Sequence, residues 1–228
     1  MNRLLIIPAK GFSKRIKEKN IKLFFGKPMI HYPLKNAIES KLFKKIHVST
    51  ESRKVKKIVE NLGFEIDFLR PKYLSERNTP TIDVLRYVYN RYKELNYNFD
   101  EVWTVSCCTP LLTKEDLKKA SKFTKKNKIL LGITKFDVPI EWAFQLAKDN
   151  ELKPVNSSKI FKNSQDLKYK YYDAGAFAVF PTVFMLKKKI KLEKNYVGFI
   201  LPKQRAIDID TLDDWRFAEL LYKIKKSK

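Results

Sequence analysis

Apolar, β-branched runs recur along this chain at residues 4–7, 46–49, 65–69, 101–105 and 129–134. Between them, apolar residues fall at the three- and four-residue spacing of amphipathic helices. Strands that alternate with such helices form a parallel sheet whose crossovers cover both faces. The expected fold is therefore α/β, a doubly wound and mostly parallel sheet. Helices are expected over residues 29–40, 53–62, 80–95 and 114–125, with start signals at Thr79 ahead of Pro80 and at Thr113 ahead of the acidic pair Glu115-Asp116. Near the C-terminus Thr211 opens Thr-Leu-Asp-Asp, close to a capping box. The helix that follows carries Trp215, Ala218, Leu221 and Tyr222 on its apolar side.

The alternation breaks down between residues 136 and 167, where the sequence turns polar, is punctuated by Pro and contains the Asp149-Asn150 turn. An excursion from the sheet is expected there, serving as a lid or a dimer contact. Two further strands follow at 174–180 and 196–201, the second closed by Pro202. With no internal repeat, no low-complexity linker and 228 residues, the chain reads as a single domain spanning 1–228.

Composition narrows the class. No apolar stretch approaches the roughly 18 residues of a membrane span, and the first apolar run is broken by Pro8 too early for a signal peptide, so a cytoplasmic protein without membrane contact is expected. Cys107 and Cys108 are the only cysteines, and adjacent residues fit neither disulfide geometry nor zinc-ligand spacing, so both are expected reduced. Lys and Arg number 48 against 25 Asp and Glu, a formal charge of +23 that attracts polyanions. The excess is mostly Lys and scattered over nearly every segment, which favours a small anionic substrate over dedicated nucleic-acid binding.

Two segments carry candidate chemistry. Directly after the first strand, Lys10, Lys14, Arg15, Lys17 and Lys19 fall within ten positions, interleaved with Gly11 and Ser13. In an open α/β sheet, ligands sit beyond the carboxyl ends of the strands, where this loop lies. Gly11 would let the backbone approach a phosphate and the cations would offset a triphosphate's charge. The spacing is neither Gly-x-Gly-x-x-Gly nor Walker A, so the alternative to a polyphosphate cradle is a plain basic loop. The second segment is Asp208-Ile209-Asp210. If extended, it projects both carboxylates the same way while Ile209 faces the core. Such a pair suits a Mg2+ shared with substrate phosphates, and the alternative is that Asp210 caps the helix after it. His31 and His47 lack partners in motif spacing and read as structural.

Taken in order along the chain, several segments together resemble the CMP-sialate synthetases, the cytidylyltransferases of acidic nine-carbon sugars. They are Pro8-Ala9-Lys10-Gly11-Phe12-Ser13-Lys14 with Lys19-Asn20, then Gly26-Lys27-Pro28-Met29-Ile30, His47-Val48-Ser49-Thr50, Arg70-Pro71, Thr109-Pro110-Leu111 and Ile207-Asp208-Ile209-Asp210-Thr211. Gln165-Asp166-Leu167, Tyr172-Asp173-Ala174-Gly175-Ala176-Phe177 and the ending from Arg205 to Trp215 look most like the pseudaminic acid branch of that family.

The resemblance implies a nucleotide-diphospho-sugar transferase fold and Mg2+-dependent transfer of CMP from CTP to a nonulosonic acid, pseudaminic acid before sialic, legionaminic or 3-deoxy-octulosonic acid. It implies dimerisation through the excursion. It also implies roles: Lys10, Gly11, Ser13, Lys14, Asn20, Arg70, Thr81 and Ser106 at the nucleotide, Lys19 with Asp208 and Asp210 at the chemistry, and those two carboxylates on the metal. Gln165, Asp173 and Arg205 would face the sugar. Lys10 stands where the family loop usually has Arg, and Phe12 where it has a small residue. A basic nucleic-acid-binding protein on the same fold is the reading from outside enzymology.

Overall fold

The structure is a computed structural model and describes residues 1–186 and 195–227. In chain order its strands are β1 (Arg3–Pro8), β2 (Leu23–Phe24), β3 (Lys27–Pro28), β4 (Lys45–Ser49), β5 (Glu101–Val105), β6 (Ile129–Lys135), β7 (Phe144–Leu146), β8 (Leu152–Pro154), β9 (Tyr171–Pro181) and β10 (Tyr196–Ile200). The helices are α1 (His31–Ser40), α2 (Arg53–Asn61), α3 (Thr81–Glu94), α4 (Lys114–Ala120) and α5 (Leu212–Lys226). Six strands form the central sheet in the order β10-β6-β9-β5-β1-β4. β1 runs parallel to β4 and β5, and β10 parallel to β6, while β9 is antiparallel to both its neighbours. The carboxyl ends of β1, β4, β5, β6 and β10 therefore share one edge with the start of β9.

β1 is apolar at every central position because both faces of the sheet are covered. Leu4 and Ile6 pack with Leu85, Val88 and Tyr92 on one face, and Leu5 and Ile7 join Val48, Trp103, Phe177 and Trp215 on the other. The second layer is closed by an aromatic cluster in which Phe24 meets Tyr32, Trp215 and Tyr222 edge-on, with centroids 5.4–5.5 Å apart. Two helix starts follow the sequence signals. Thr113 with Asp116 and Thr211 with Asp214 each form a complete capping box.

Three expectations are corrected. Residues 65–69 make no strand. Ile66 packs into one core layer and Phe68 stacks on His47 at 4.3 Å on the other, so the segment buries alternate residues along the sheet edge without joining the ladder. α4 stops at Ala120, where Ser121 and Thr124 hydroxyls turn back to donate to the Lys118 and Ser121 carbonyls. Thr79 does not cap α3. Its hydroxyl donates to the Tyr73 carbonyl, and Pro80 occupies the cap position.

Within residues 136–167 the β7–β8 hairpin turns at Asp149 and Asn150, both left-handed with φ of 62° and 63°. Phe144, Leu146, Leu152, Val155 and Phe161 are all exposed there, Phe161 at 95%. Among the described residues no helix is long and apolar enough to cross a membrane.

Candidate active site

The loop after β1 is built from its buried points outward. Ala9 donates its N–H to the Ser49 carbonyl at 2.9 Å, continuing the β1–β4 ladder past the strand end. Ile16, 2% exposed, pins the loop's centre in the core. Asn20 closes the loop on itself, its Nδ2 donating to the Lys10 carbonyl at 2.8 Å. On its other side the Asn20 Oδ1 lies 3.3 Å from the Cys108 Sγ, which acts as donor. Lys10 Nζ reaches the Glu76 carbonyl at 3.3 Å, while Lys14 and Phe12 are exposed and Ser13 is half-buried.

Gly11 packs closely against a neighbouring segment. A Cβ there would stand 2.5 Å from Ser52 Cβ, so the missing side chain lets the loop press against the β4–α2 connection. Its N–H is already taken, donating to Glu51 Oε1 at 2.8 Å. Arg70 is turned to the same carboxylate, with Nη2 3.0 Å from Glu51 Oε2 and Nε donating to Ser75 Oγ at 2.7 Å. Burial lowers the Arg70 pKa, partly offset by Glu51. Burial pushes the Glu51 carboxyl up, but hydrogen bonds from Ser75 and Gly11 and the Arg70 charge outweigh it and hold its pKa below the usual range.

The second segment meets this loop across 190 residues of sequence. Asp208 and Asp210 are not in a strand. Ile209 is fully buried and its N–H donates to the Cys108 carbonyl at 3.1 Å, which orients the flanking carboxylates. Lys19 Nζ bridges to the Ile209 carbonyl at 2.5 Å and to Asp210 Oδ1 at 3.0 Å, and Arg15 Nη2 approaches the same oxygen at 2.7 Å. Ser106 donates its hydroxyl to Asp208 Oδ1 at 3.2 Å. The alternative of Asp210 as a helix cap is ruled out, because Thr211 caps α5 and Asp214 accepts the N–H groups of Asp210 and Thr211.

The electrostatics follow from burial. Desolvation raises the Asp208 carboxyl to about 6, Lys19 opposing and Asp210 adding to the rise. For Lys19, burial pulls the pKa down, but Cys108, Asp210 and Asp208 outweigh it, so the ammonium is held charged. A cation held by the Asp210 carboxylate and the Ile209 carbonyl, with Asp208 adding to the negative field, can exchange those partners for an incoming polyanion. Cys107 and Cys108 are free and buried beneath this cluster, and burial drives the Cys107 thiol well above its ordinary range.

Two contributors, Gly175 and Glu51, carry no motif of their own in the sequence. Gly175 lies in β9 at φ +63°, and a Cβ on it would stand 2.9 Å from Asp208 Oδ2. Asp173 Oδ1 accepts the Gly175 N–H at 2.9 Å, and Gly175, the fifth residue of β9, is the point that abuts Asp208. The available signal was a glycine inside a strand pattern, which marks close approach. Glu51 was missed, although it sits just past the carboxyl end of β4.

The remaining expected residues lie apart. Thr81 is the exposed first residue of α3, and it shares no hydrogen bond with the cluster among the described residues. Gln165 sits on a short turn lining a cavity of about 360 Å³ with Lys135, Phe136, Lys168 and Tyr169. Arg205 Nε is 2.8 Å from Asp116 Oδ2, a charge contact that ties it to the start of α4. His47 is structural, its Nδ1 3.1 Å from the Tyr92 hydroxyl and its pKa lowered by burial to about 3.

The carboxyl edge of a mostly parallel sheet with one reversed strand thus brings a basic strand-end loop against a pair of carboxylates. The chain matches the sequence model of the cytidylyltransferase family over residues 4–224, and it belongs to that family. It is 34% identical to a pseudaminic acid cytidylyltransferase of Campylobacter jejuni, over 98% of this chain and 97% of that one. A CMP-N,N'-diacetyllegionaminic acid synthase of Legionella pneumophila is 25% identical over 99% and 98% of the two chains. Among solved structures the fold matches a CMP:2-keto-3-deoxy-manno-octonic acid synthetase complexed with CTP. That match has a TM-score of 0.70 and 13% identity, covering 99% of this chain and 100% of that one.

Proposed function

We propose that this cytidylyltransferase moves CMP from CTP to the anomeric hydroxyl of a nonulosonic acid, with pseudaminic acid as the acceptor. The hydroxyl oxygen bonds to the α-phosphorus, the bond from that phosphorus to the bridging oxygen breaks, and pyrophosphate leaves as the hydroxyl proton is lost. The observation that carries the reading is the convergence of Lys19, Arg15, Asp208 and Asp210 beside the loop of Lys10, Ser13 and Lys14 at the carboxyl edge of the sheet. The full-length likeness to a pseudaminic acid enzyme supports the acceptor.

In this reading Lys10, Ser13 and Lys14 bind the triphosphate. Lys19 and Arg15 leave Asp210 to stabilise charge on the departing pyrophosphate, a change in partners that concentrates their effect on the reacting state. Asp208 and Asp210 supply oxygen donors only, a donor set that fits a Mg2+ completed by substrate oxygens. Bound there, Mg2+ would neutralise phosphate charge and align the triphosphate. Ser106 orients Asp208, and Gln165 with Asp173 faces the acceptor. The exposed apolar residues of the β7–β8 region support dimerisation through that hairpin. Dependence on CTP supports a cytoplasmic location.

The test is pyrophosphate release with CTP and Mg2+ across pseudaminic, legionaminic, sialic and 3-deoxy-octulosonic acids. Turnover is expected with pseudaminic acid ahead of the others. No turnover with any acid would refute the function, and preference for another acid would refute the acceptor.

A further inference from the structure

Glu51 lies outside the cluster of Lys19, Asp208 and Asp210, yet it is the point where three segments of the nucleotide side are tied together. Its Oε1 accepts the Gly11 N–H at 2.8 Å, and its Oε2 accepts from Arg70 Nη2 at 3.0 Å and Ser75 Oγ at 2.6 Å. The Arg70 side chain is 1% exposed, so its charge is compensated here rather than in solvent. Around this carboxylate the backbone adds two links, Ala9 N–H to the Ser49 carbonyl and Arg70 N–H to the Thr50 carbonyl, both 2.9 Å. One residue beyond Ser75, the Glu76 carbonyl receives Lys10 Nζ. Apart from the Asn20 contact with the Lys10 carbonyl, these tethers of residues 9–11 run to the end of β4, to the β4–α2 connection or to the 70–76 segment.

We infer that Glu51 is a positioning residue for the triphosphate-binding loop, an inference that rests on the proposed role of that loop. It acts through Gly11 and never meets the phosphates. Its carboxylate consumes a backbone N–H that a loop of this kind would otherwise offer to an anion, and in exchange fixes the direction in which Lys10, Ser13 and Lys14 leave the strand. Gly11 is the other half of the device, since only a residue without Cβ fits against Ser52 at this spacing.

Four proteins test this by calorimetric CTP binding, thermal melting, and separate KM values for CTP and acceptor: wild type, Glu51→Ala, Gly11→Ala and the double variant Gly11→Ala/Ser52→Gly. Gly11→Ala is expected to weaken CTP binding by roughly tenfold, about the loss of one charge-assisted hydrogen bond to a phosphate, with the acceptor KM unmoved. Adding Ser52→Gly removes the blocking atoms, leaving Glu51 Oε1 at 3.4 Å as the nearest neighbour, and is expected to restore CTP affinity. Glu51→Ala should match Gly11→Ala, and if its uncompensated Arg70 prevents folding, the Gly11 pair decides the outcome. Lowered melting temperatures with unchanged CTP affinity would make the contact purely structural and overturn the inference. If wild type itself binds no CTP, the proposed function falls and takes this inference with it. If wild type binds CTP and Gly11→Ala binds it equally, this inference falls alone.

Discussion

Replacing Gly175 with Ala perturbs the site through two separable effects. At φ +63° an L side chain carries a left-handed penalty of about 1–2 kcal/mol. The new Cβ would also stand 2.9 Å from Asp208 Oδ2, so that carboxylate must retreat by about half an ångström to reach an ordinary contact. Gly63 supplies the control. It has φ +80° and nothing within 4 Å of the point where a Cβ would stand, so Gly63→Ala reports strain alone. For a chain of this size the strain should lower the melting temperature by roughly 2–8 °C in both variants. Only Gly175→Ala should also lose turnover, by about tenfold, because a shift of half an ångström in the carboxylate proposed to hold the metal forfeits part of the positioning effect. Differential scanning fluorimetry and pyrophosphate release read the two effects independently. Equal kcat in Gly175→Ala and Gly63→Ala, with both destabilised, would refute the placement of Asp208 in the reacting site.

Asp210→Asn keeps the volume of a side chain whose Oδ1 holds Arg15 and Lys19, and it should reduce turnover by about a hundredfold or more with the fold intact by circular dichroism. Wild-type turnover in the folded variant would remove Asp210 from the machinery. His47 is buried neutral with its pKa lowered to about 3, below its unfolded value near 6.5. Its contribution to stability is thus complete above about pH 6.5 and is lost as pH falls towards 3, at up to about 1.4 kcal/mol per pH unit. Urea unfolding between pH 7 and 5 should show this slope, and His47→Gln should flatten it. An equal slope in the variant would contradict the assignment. Thr211→Ala removes the cap of α5 and should cost about 1 kcal/mol in the same unfolding assay, and no change in midpoint would count against the capping box.

What was legible in the sequence was local. β1 is a continuous apolar run because both its faces are covered, and the Thr113 and Thr211 capping boxes are spelled out within four residues each. The basic loop and the Asp208-Ile209-Asp210 pair were recognisable separately, since each needs only a strand end or an alternating triplet. What was not legible depended on partners far away in the chain. Residues 65–69 carry strand-like apolar positions, but those side chains fill two core layers beyond the edge strand. Arg70 pairs with Glu51, nineteen positions earlier, a partnership that neither residue's own segment spells out. Arg205 likewise meets Asp116, from a segment eighty-nine positions earlier. Gly11 and Gly175 were each visible as glycines, but the atoms that exclude a Cβ, on Ser52 and Asp208, come from other segments.

Mass spectrometry of the reaction product reads the chemistry joining CTP to a nonulosonic acid. Incubation of the protein with CTP, Mg2+ and pseudaminic acid should yield the CMP conjugate of the acid and one equivalent of pyrophosphate, and Asp210→Asn should yield little of either. Intact CTP with every nonulosonic acid supplied would contradict it.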